Sequence, residues 1–178
     1  MLESNQSKFW TFRGGIKMPI SFVRIDDRVI HGQVVARWSR FKPCNGILVI
    51  DDKIAQDPLQ KKIFTNAAPT GVKVGVYSVE EGLEKISKAK IAKNSYFVIV
   101  KTPVTLMEII EKGGDFGTEV NVGPMSARSN AKTVAKNVAI TVEENSAFDF
   151  MYSKGIDIDF QLIPDETAIN WRKVRQNY

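Results

Sequence analysis

Apolar positions along the chain change period repeatedly, and the changes divide it into alternating strands and helices. Ile20 to Ile25 is a short apolar run of strand type, and Ile30 to Phe41 sets Ile30, Val34, Val35 and Trp38 at helical spacing. Pro43 and Gly46 break that helix. Gly46 to Ile50 is a continuous apolar strand, the form expected in a parallel sheet covered on both faces. Asp51 and Asp52 follow it, and a helical segment from about Pro58 to Ala67 is closed by Pro69 and Gly71. Val72 to Tyr77 reads as the third strand. Ser78-Val-Glu-Glu81 has the form of a capping box and opens a helix to about Lys88. Tyr96 to Val100 is the fourth strand. Thr102-Pro103 supplies a cap and a first-turn proline to a helix through Glu111, which Gly113-Gly114 ends. Thr118 to Val122 is a fifth strand with the turn Gly123-Pro124 after it. Ser126 to Lys136 fits either a polar loop or a short helix. Val138 to Thr141 is a brief strand, Glu143 to Lys154 a helix stopped by Gly155, and Ile156 to Ile163 alternates as a strand with one wet face.

This alternation predicts an α/β fold: an open, mostly parallel central sheet of about six or seven strands, with helices on both faces. Residues 18–164 form the domain. Residues 1–17 lack a regular period and end in Gly14-Gly15, so they read as an N-terminal extension or cloning remnant. Residues 165–178 read as a C-terminal tail with a last helical turn around Trp171. No internal repeat or low-complexity tract is present.

Composition narrows the function classes. A chain of 178 residues, 43% apolar, suits one domain with a full core. The net charge is +5, of which the first 17 residues carry +2 (Lys8, Arg13 and Lys17 against Glu3), leaving +3. With no dense Lys/Arg stripe, nucleic acid is not an expected partner, whereas an anionic site or partner is. One cysteine excludes an internal disulfide, and one cysteine with one histidine excludes a Cys/His metal site. Cys44 has no second histidine to act as its base, so it reads as a packed thiol. There is no apolar run of about 18 residues and no secretory h-region, which places the chain in the cytoplasm by expectation. Gly75 and Gly123 do not have phosphate-loop spacing. No cofactor or metal is expected.

The chemistry concentrates in Phe22-Val-Arg-Ile-Asp-Asp-Arg-Val-Ile-His-Gly-Gln-Val34. In sheets of this class ligands bind outside the carboxyl ends of the strands. The rule puts the turn after the first strand on the working edge, with Asp51, Asp52, Lys101 and Thr102 on the same edge. His31, the only histidine, stands where the turn becomes a helix. A neutral imidazole is a competent nucleophile near neutral pH. Gly32 and Gln33 offer amides to an anion at the helix start, and Gly32 lets backbone approach without a Cβ. Arg28 offers a bidentate guanidinium, and Arg24 is grouped with Gly32 and Gln33 as phosphate-binding. Asp26 or Asp27 would accept from one ring nitrogen and fix the tautomer. The site set is therefore His31, Arg28 and Asp26 for catalysis and Gly32, Gln33 and Arg24 for phosphate.

Plainer readings compete with each of these. His31 alone would more often be a structural helix cap, Asp26-Asp27-Arg28 a solvated turn, and Asp51-Asp52 a cap. Lys85, Lys88, Lys90 and Lys93 read as a solvated helix face. A small hydrolase with His31 as general base lacks a convincing nucleophile.

The stretch Arg24 to Val34, Arg-Ile-Asp-Asp-Arg-Val-Ile-His-Gly-Gln-Val, resembles the active-site loop of the IIB components of the mannose/fructose/sorbose family of the bacterial phosphotransferase system (PTS). The likeness continues through Val49–Ala55, Ala67–Lys73 and Asn121–Met125 and covers about Met18 to Leu162. The resemblance implies a phosphocarrier whose phosphorylated histidine matches His31, with the phosphoryl group on Nδ1. It implies that Arg28 assists transfer and that Asp26 is the matching loop carboxylate. The donor would be a phosphohistidine on a cytoplasmic IIA protein or domain, and the acceptor a hexose bound by membrane-embedded IIC and IID partners. No metal or organic cofactor is implied, and the protein itself would not span the membrane. The alternative within the same fold is a regulatory or binding module in which His31 is structural. Two departures stand out. Pro124 replaces a usual glycine, and Ser126 to Asn137 lacks the usual glycine-containing turn.

Overall fold

A computed structural model describes residues 19–178, so the N-terminal segment 1–17 lies outside the described residues. In chain order the elements are β1 (Ile20–Ile25), α1 (Gly32–Trp38), β2 (Gly46–Ile50), α2 (Asp52–Gln56), α3 (Pro58–Asn66), β3 (Lys73–Tyr77), α4 (Val79–Ile91), β4 (Tyr96–Val100) and α5 (Pro103–Glu111). There follow β5 (Glu119–Val122), β6 (Lys132–Ala135), β7 (Val138–Ile140), α6 (Val142–Ser153), β8 (Asp157–Phe160), β9 (Ile169–Asn170) and α7 (Trp171–Val174). The main sheet has seven strands in the order β3-β2-β4-β1-β5-β8-β9, parallel except for β9. The expected mostly parallel α/β sheet is therefore the observed one. β6 and β7 form a separate antiparallel hairpin.

Side-chain alternation along β1 sorts the two layers. Phe22 packs with Val29, Val35, Trp38, Phe97 and Ile99 on the α1 face. Val23 and Ile25 join the opposite cluster with Leu106, Ile109, Phe148 and Trp171. Arg24, sharing the parity of Phe22, is sent to the α1 side, where its guanidinium lies 5.9 Å from the Trp38 ring centroid.

Capping chemistry fixes most helix starts. Ser78 and Thr141 each form a full capping box, with Glu81 and Glu144. Thr102 caps α5 ahead of Pro103, and Asp57 caps α3 ahead of Pro58.

Three places add to or correct the expected pattern. A short helix, α2, precedes the expected one, too brief at five residues to show a helical period; Asp51 caps it, its Oδ1 accepting from the Ile54 amide at 2.9 Å, in keeping with the cap reading of Asp51-Asp52. Ser126 to Lys136 holds β6 rather than a helix, since its ladder depends on β7 and not on local periodicity. The tail after Pro164 has the expected helical turn at Trp171, and it is fastened to the core through Trp171 and Val174. Trp171 is fully buried, stacks among Phe148 and Phe160 at centroid distances of 4.9 and 5.8 Å, and donates from Nε1 to Asp149 at 3.0 Å.

Trp171→Ala should therefore cost about 3–5 kcal/mol of folding stability, read from urea unfolding. A loose tail would give no measurable change.

Candidate functional site

β1 lies between β4 and β5, so the chain leaving it is pinned from both sides. The Asp26 amide donates to the Val100 carbonyl at 2.9 Å, and the Asp27 amide to the Pro124 carbonyl at 3.1 Å. The Val29 amide closes the turn on the Asp26 carbonyl at 2.9 Å. Val29 has φ of 63°, a left-handed conformation that a β-branched residue avoids. Its side chain is buried against the α1 layer, and such burial can hold a strain of about 1–3 kcal/mol. With Val29 and Ile30 turned inward, the flanking Arg28 and His31 are exposed.

Beneath this loop Arg24 and Asp26 form a buried ion pair, both 2% exposed. All five guanidinium N–H groups are placed. Nε and Nη2 donate to Asp26 Oδ2 at 3.1 and 3.0 Å. Nη1 donates to Asn121 Oδ1 and to the Gln161 carbonyl, the latter at 3.2 Å, and Nη2 reaches the Leu162 carbonyl at 3.3 Å. Burial pushes the Arg24 pKa down, and the adjacent Asp26 carboxylate opposes that. Arginine stays protonated through such a contest. Gly123 makes room for the group, since a Cβ there would lie 2.2 Å from Arg24 Nη2.

Asp26 passes the order outward. Its second oxygen, Oδ1, accepts from the Arg28 amide at 3.1 Å and lies 3.8 Å from Arg28 Nε. The Arg28 side chain is 48% exposed, so it is anchored at its base and open at its tip. Asp27 ties the loop sideways, its Oδ2 accepting from the Ser126 amide at 2.7 Å.

His31 occupies the cap position of α1, but its side chain makes no cap hydrogen bond; its carbonyl accepts from the Val34 and Val35 amides at 2.9 and 3.0 Å. The amides of Gly32 and Gln33 precede the first helical bond and have no intrahelical acceptor. The void under the ring, lined by Arg24, Asp26, Val29 and Trp38, measures about 10 Å³ and holds one water at most. A phosphoryl group therefore has room only on the solvent side. A cleft of about 450 Å³ between the β6–β7 hairpin and residues 161–169 does not include His31.

The structure thus brings Arg28, His31, Gly32 and Gln33 to one exposed edge and gives two of the expected residues other work. Among the described residues Asp26 makes no hydrogen bond to the imidazole; its Oδ2 accepts from Arg24 and its Oδ1 from the Arg28 amide. Asp27 is likewise turned to Ser126. Arg24, expected at the phosphate, has every donor engaged internally. Asp51 and Asp52 are caps; Asp52 Oδ1 accepts from the Val79 amide at 2.8 Å, at the start of α4. Asn121 and Gly123 were missed as supports. The available signal was a polar Asn121 inside the apolar Val-Asn-Val run next to a Gly-Pro turn. The two departures are accommodated by the backbone. Pro124 contributes its carbonyl, which any residue supplies, and Asn137 takes the left-handed turn at φ of 60°, a conformation asparagine tolerates. Among the described residues no group of three or more His, Cys, Asp or Glu is placed to hold a metal ion, and no helix is long and apolar enough to cross a membrane.

The family model of the PTS system sorbose subfamily IIB component matches residues 20–177. The chain belongs to that family. It is 29% identical over 160 residues to the fructose-specific EIIB component of Bacillus subtilis, covering 90% of this chain and 98% of that one. It is 32% identical over 152 residues to the mannose-specific EIIAB component of Escherichia coli, covering 85% of this chain and 47% of that longer protein. Among solved structures, the IIB domain of the Klebsiella pneumoniae sorbose permease superposes with a TM-score of 0.81 at 25% identity, over 90% of this chain and 96% of that one. The manxB structure from Thermoanaerobacter tengcongensis gives 0.81 at 34%, over 89% and 96%. The homologues are phosphotransferase components, so this IIB component belongs to a sugar phosphotransfer family.

Two measurements check the geometry of its site. Arg24→Met should cost about 3–5 kcal/mol by leaving Asp26 buried and unpaired, and most of that should return in Arg24→Met/Asp26→Leu. Urea unfolding of the cycle decides it. Cys44 is half-buried, which pushes its thiol up to about 11. At pH 8 iodoacetamide should label it about two hundredfold more slowly than an unhindered thiol. Because the folded pKa is the higher one, the folded state holds the proton more tightly. The stability this confers is full below the unfolded thiol pKa and is lost as pH rises towards 11.

Proposed function

We propose that this IIB component is a phosphocarrier. His31 accepts a phosphoryl group on Nδ1 from phosphohistidine on a cytoplasmic IIA protein or domain and passes it to a hexose bound by the membrane IIC and IID partners. The observation that carries the reading is an exposed imidazole left unused by the helix it precedes, three residues after the exposed Arg28 and directly ahead of two amides that have no intrahelical acceptor. A purely structural His31 would be expected to spend its ring on the cap.

The chemistry balances without a cofactor. The Nδ1 lone pair attacks phosphorus in line, and the donor's N–P bond breaks as the new one forms. Nε2 keeps its proton throughout. In the second step a sugar hydroxyl attacks the same phosphorus, the Nδ1–P bond breaks, and the hydroxyl proton leaves to solvent or to a base of the permease. Such transfer needs chiefly positioning and charge stabilisation of the equatorial oxygens. Arg28 supplies the mobile positive charge, and the Gly32 and Gln33 amides supply fixed donors. Asp26 acts through Arg28, holding its amide and Nε; Arg24 acts through Asp26. The small void under the ring keeps the phosphoryl group on the side from which partners arrive.

His31→Ala should abolish acid-labile labelling from phosphorylated IIA, while Arg28→Lys should slow labelling by about 10²-fold without abolishing it, since a point charge replaces a planar fork. Intact-mass spectrometry after a timed incubation reads both. Label persisting on His31→Ala would overturn the assignment.

A further inference from the structure

We infer that the exposed apolar stripe of α3, Leu59 and Ile63, together with Lys62, is the part of the surface on which the phosphoryl-donor protein seats itself. The inference rests on the phosphocarrier reading of His31 and adds to it a place where the donor binds.

α3 buries none of its nine residues. Leu59 and Ile63 are 67% and 53% exposed, and they lie four residues apart, on one face of the helix. Only Phe64 and the following Ala67 lean on the apolar layer beside α1. An apolar face this open, on a helix capped well enough by Asp57 to need no partner for its own sake, is a surface waiting for contact.

The position of the stripe identifies the occupant. The Ala67 carbonyl lies 3.6 Å from the point where a Cβ on Gly32 would sit. The Ala67 amide donates to the Ile63 carbonyl at 3.0 Å, so Ile63 is one turn away from that contact. Leu59 is one turn further, about 12 Å along the helix axis from Ala67. Transfer between two histidines requires both imidazoles on one phosphorus, so the donor protein must cover His31 and its surroundings. A standard interface covers about 800 Å² on each partner, a disc of about 16 Å radius. Centred near Gly32, such a disc takes in the stripe. By contrast Ile91, 87% exposed, ends α4 just ahead of the start of β4, on the opposite edge of the sheet.

Charge agrees with position. Lys61 and Lys62 are the only charged residues of α3, and they form no ion pair among the described residues. The donor presents a dianionic phosphoryl group, so a basic rim around an apolar patch suits its approach.

The test follows single-turnover transfer from a radiolabelled phospho-IIA protein to this chain over a range of acceptor concentrations. Leu59→Ser/Ile63→Ser should raise the half-saturating concentration about tenfold with the maximal rate unchanged, and Ile91→Ser should leave both unchanged. The thermal midpoint of each variant should match the parent, because the altered side chains are exposed. An unchanged half-saturation in the double variant overturns the inference, as does an equal loss in Ile91→Ser. So does concentration-dependent self-association of the parent, in sedimentation, that the double variant abolishes, since a second copy would then be the occupant. If the parent takes no label at all, the phosphocarrier reading fails first and takes this inference with it.

Discussion

The Arg24–Asp26 pair is the constraint on which the site rests. Two opposite charges, each almost fully withdrawn from water, are tolerable only when every remaining donor and acceptor is met. Arg24 meets that demand with five bonds that reach the turn after β1, β5 and the segment just after β8. Breaking any one of them would leave a buried polar atom orphaned, so the three chain segments are held in one arrangement. The pair is therefore a device for specificity of geometry more than a source of net stability.

From that anchor the order propagates outward along a short path. Asp26 has one oxygen committed inward and one outward, and the outward one fixes the root of Arg28. Asp27 locks the same turn to the strand on its other side through Pro124 and Ser126. The strain at Val29 is affordable because its side chain is buried in the packed layer beside α1. What remains free is the chemistry: the tip of Arg28, the ring of His31 and the first amides of α1. A fixed base beneath exposed groups suits the proposed phosphocarrier role, in which one atom is presented to two partners in turn. A deep pocket would exclude both partners, and the void beneath the ring is too small to serve as one.

At positions 124 and 137 backbone atoms and backbone conformation perform the structural role. Proline at position 124 still offers a carbonyl, and asparagine at 137 still turns left-handed. Glycine at 123 is different, because there the absence of a side chain is itself the requirement.

The sequence alone determined the alternation of strands and helices, the parallel sheet, the helix caps at Ser78 and Thr102 and the loop that carries His31, because each depends on local period or local hydrogen bonding. The strands Ile20–Ile25, Gly46–Ile50 and Tyr96–Val100 were legible to the residue for that reason. It also singled out Asp26, Asp27 and Arg28, from their crowding in one turn, and placed Arg24 with Gly32 and Gln33 at the phosphate. Tertiary structure decided which of them faces inward. Parity along β1 sends Arg24 under the sheet edge, and its partners at Asn121, Gln161 and Leu162 are about a hundred or more residues away in sequence, where no local pattern links them. The same holds for β6, whose ladder exists only against β7, and for Trp171, whose burial depends on Phe148 and Phe160 arriving from other elements. Local chemistry chose the actors; long-range packing aimed the Asp26 carboxylate, Oδ2 at the buried Arg24 and Oδ1 at the Arg28 amide, and so away from the His31 ring.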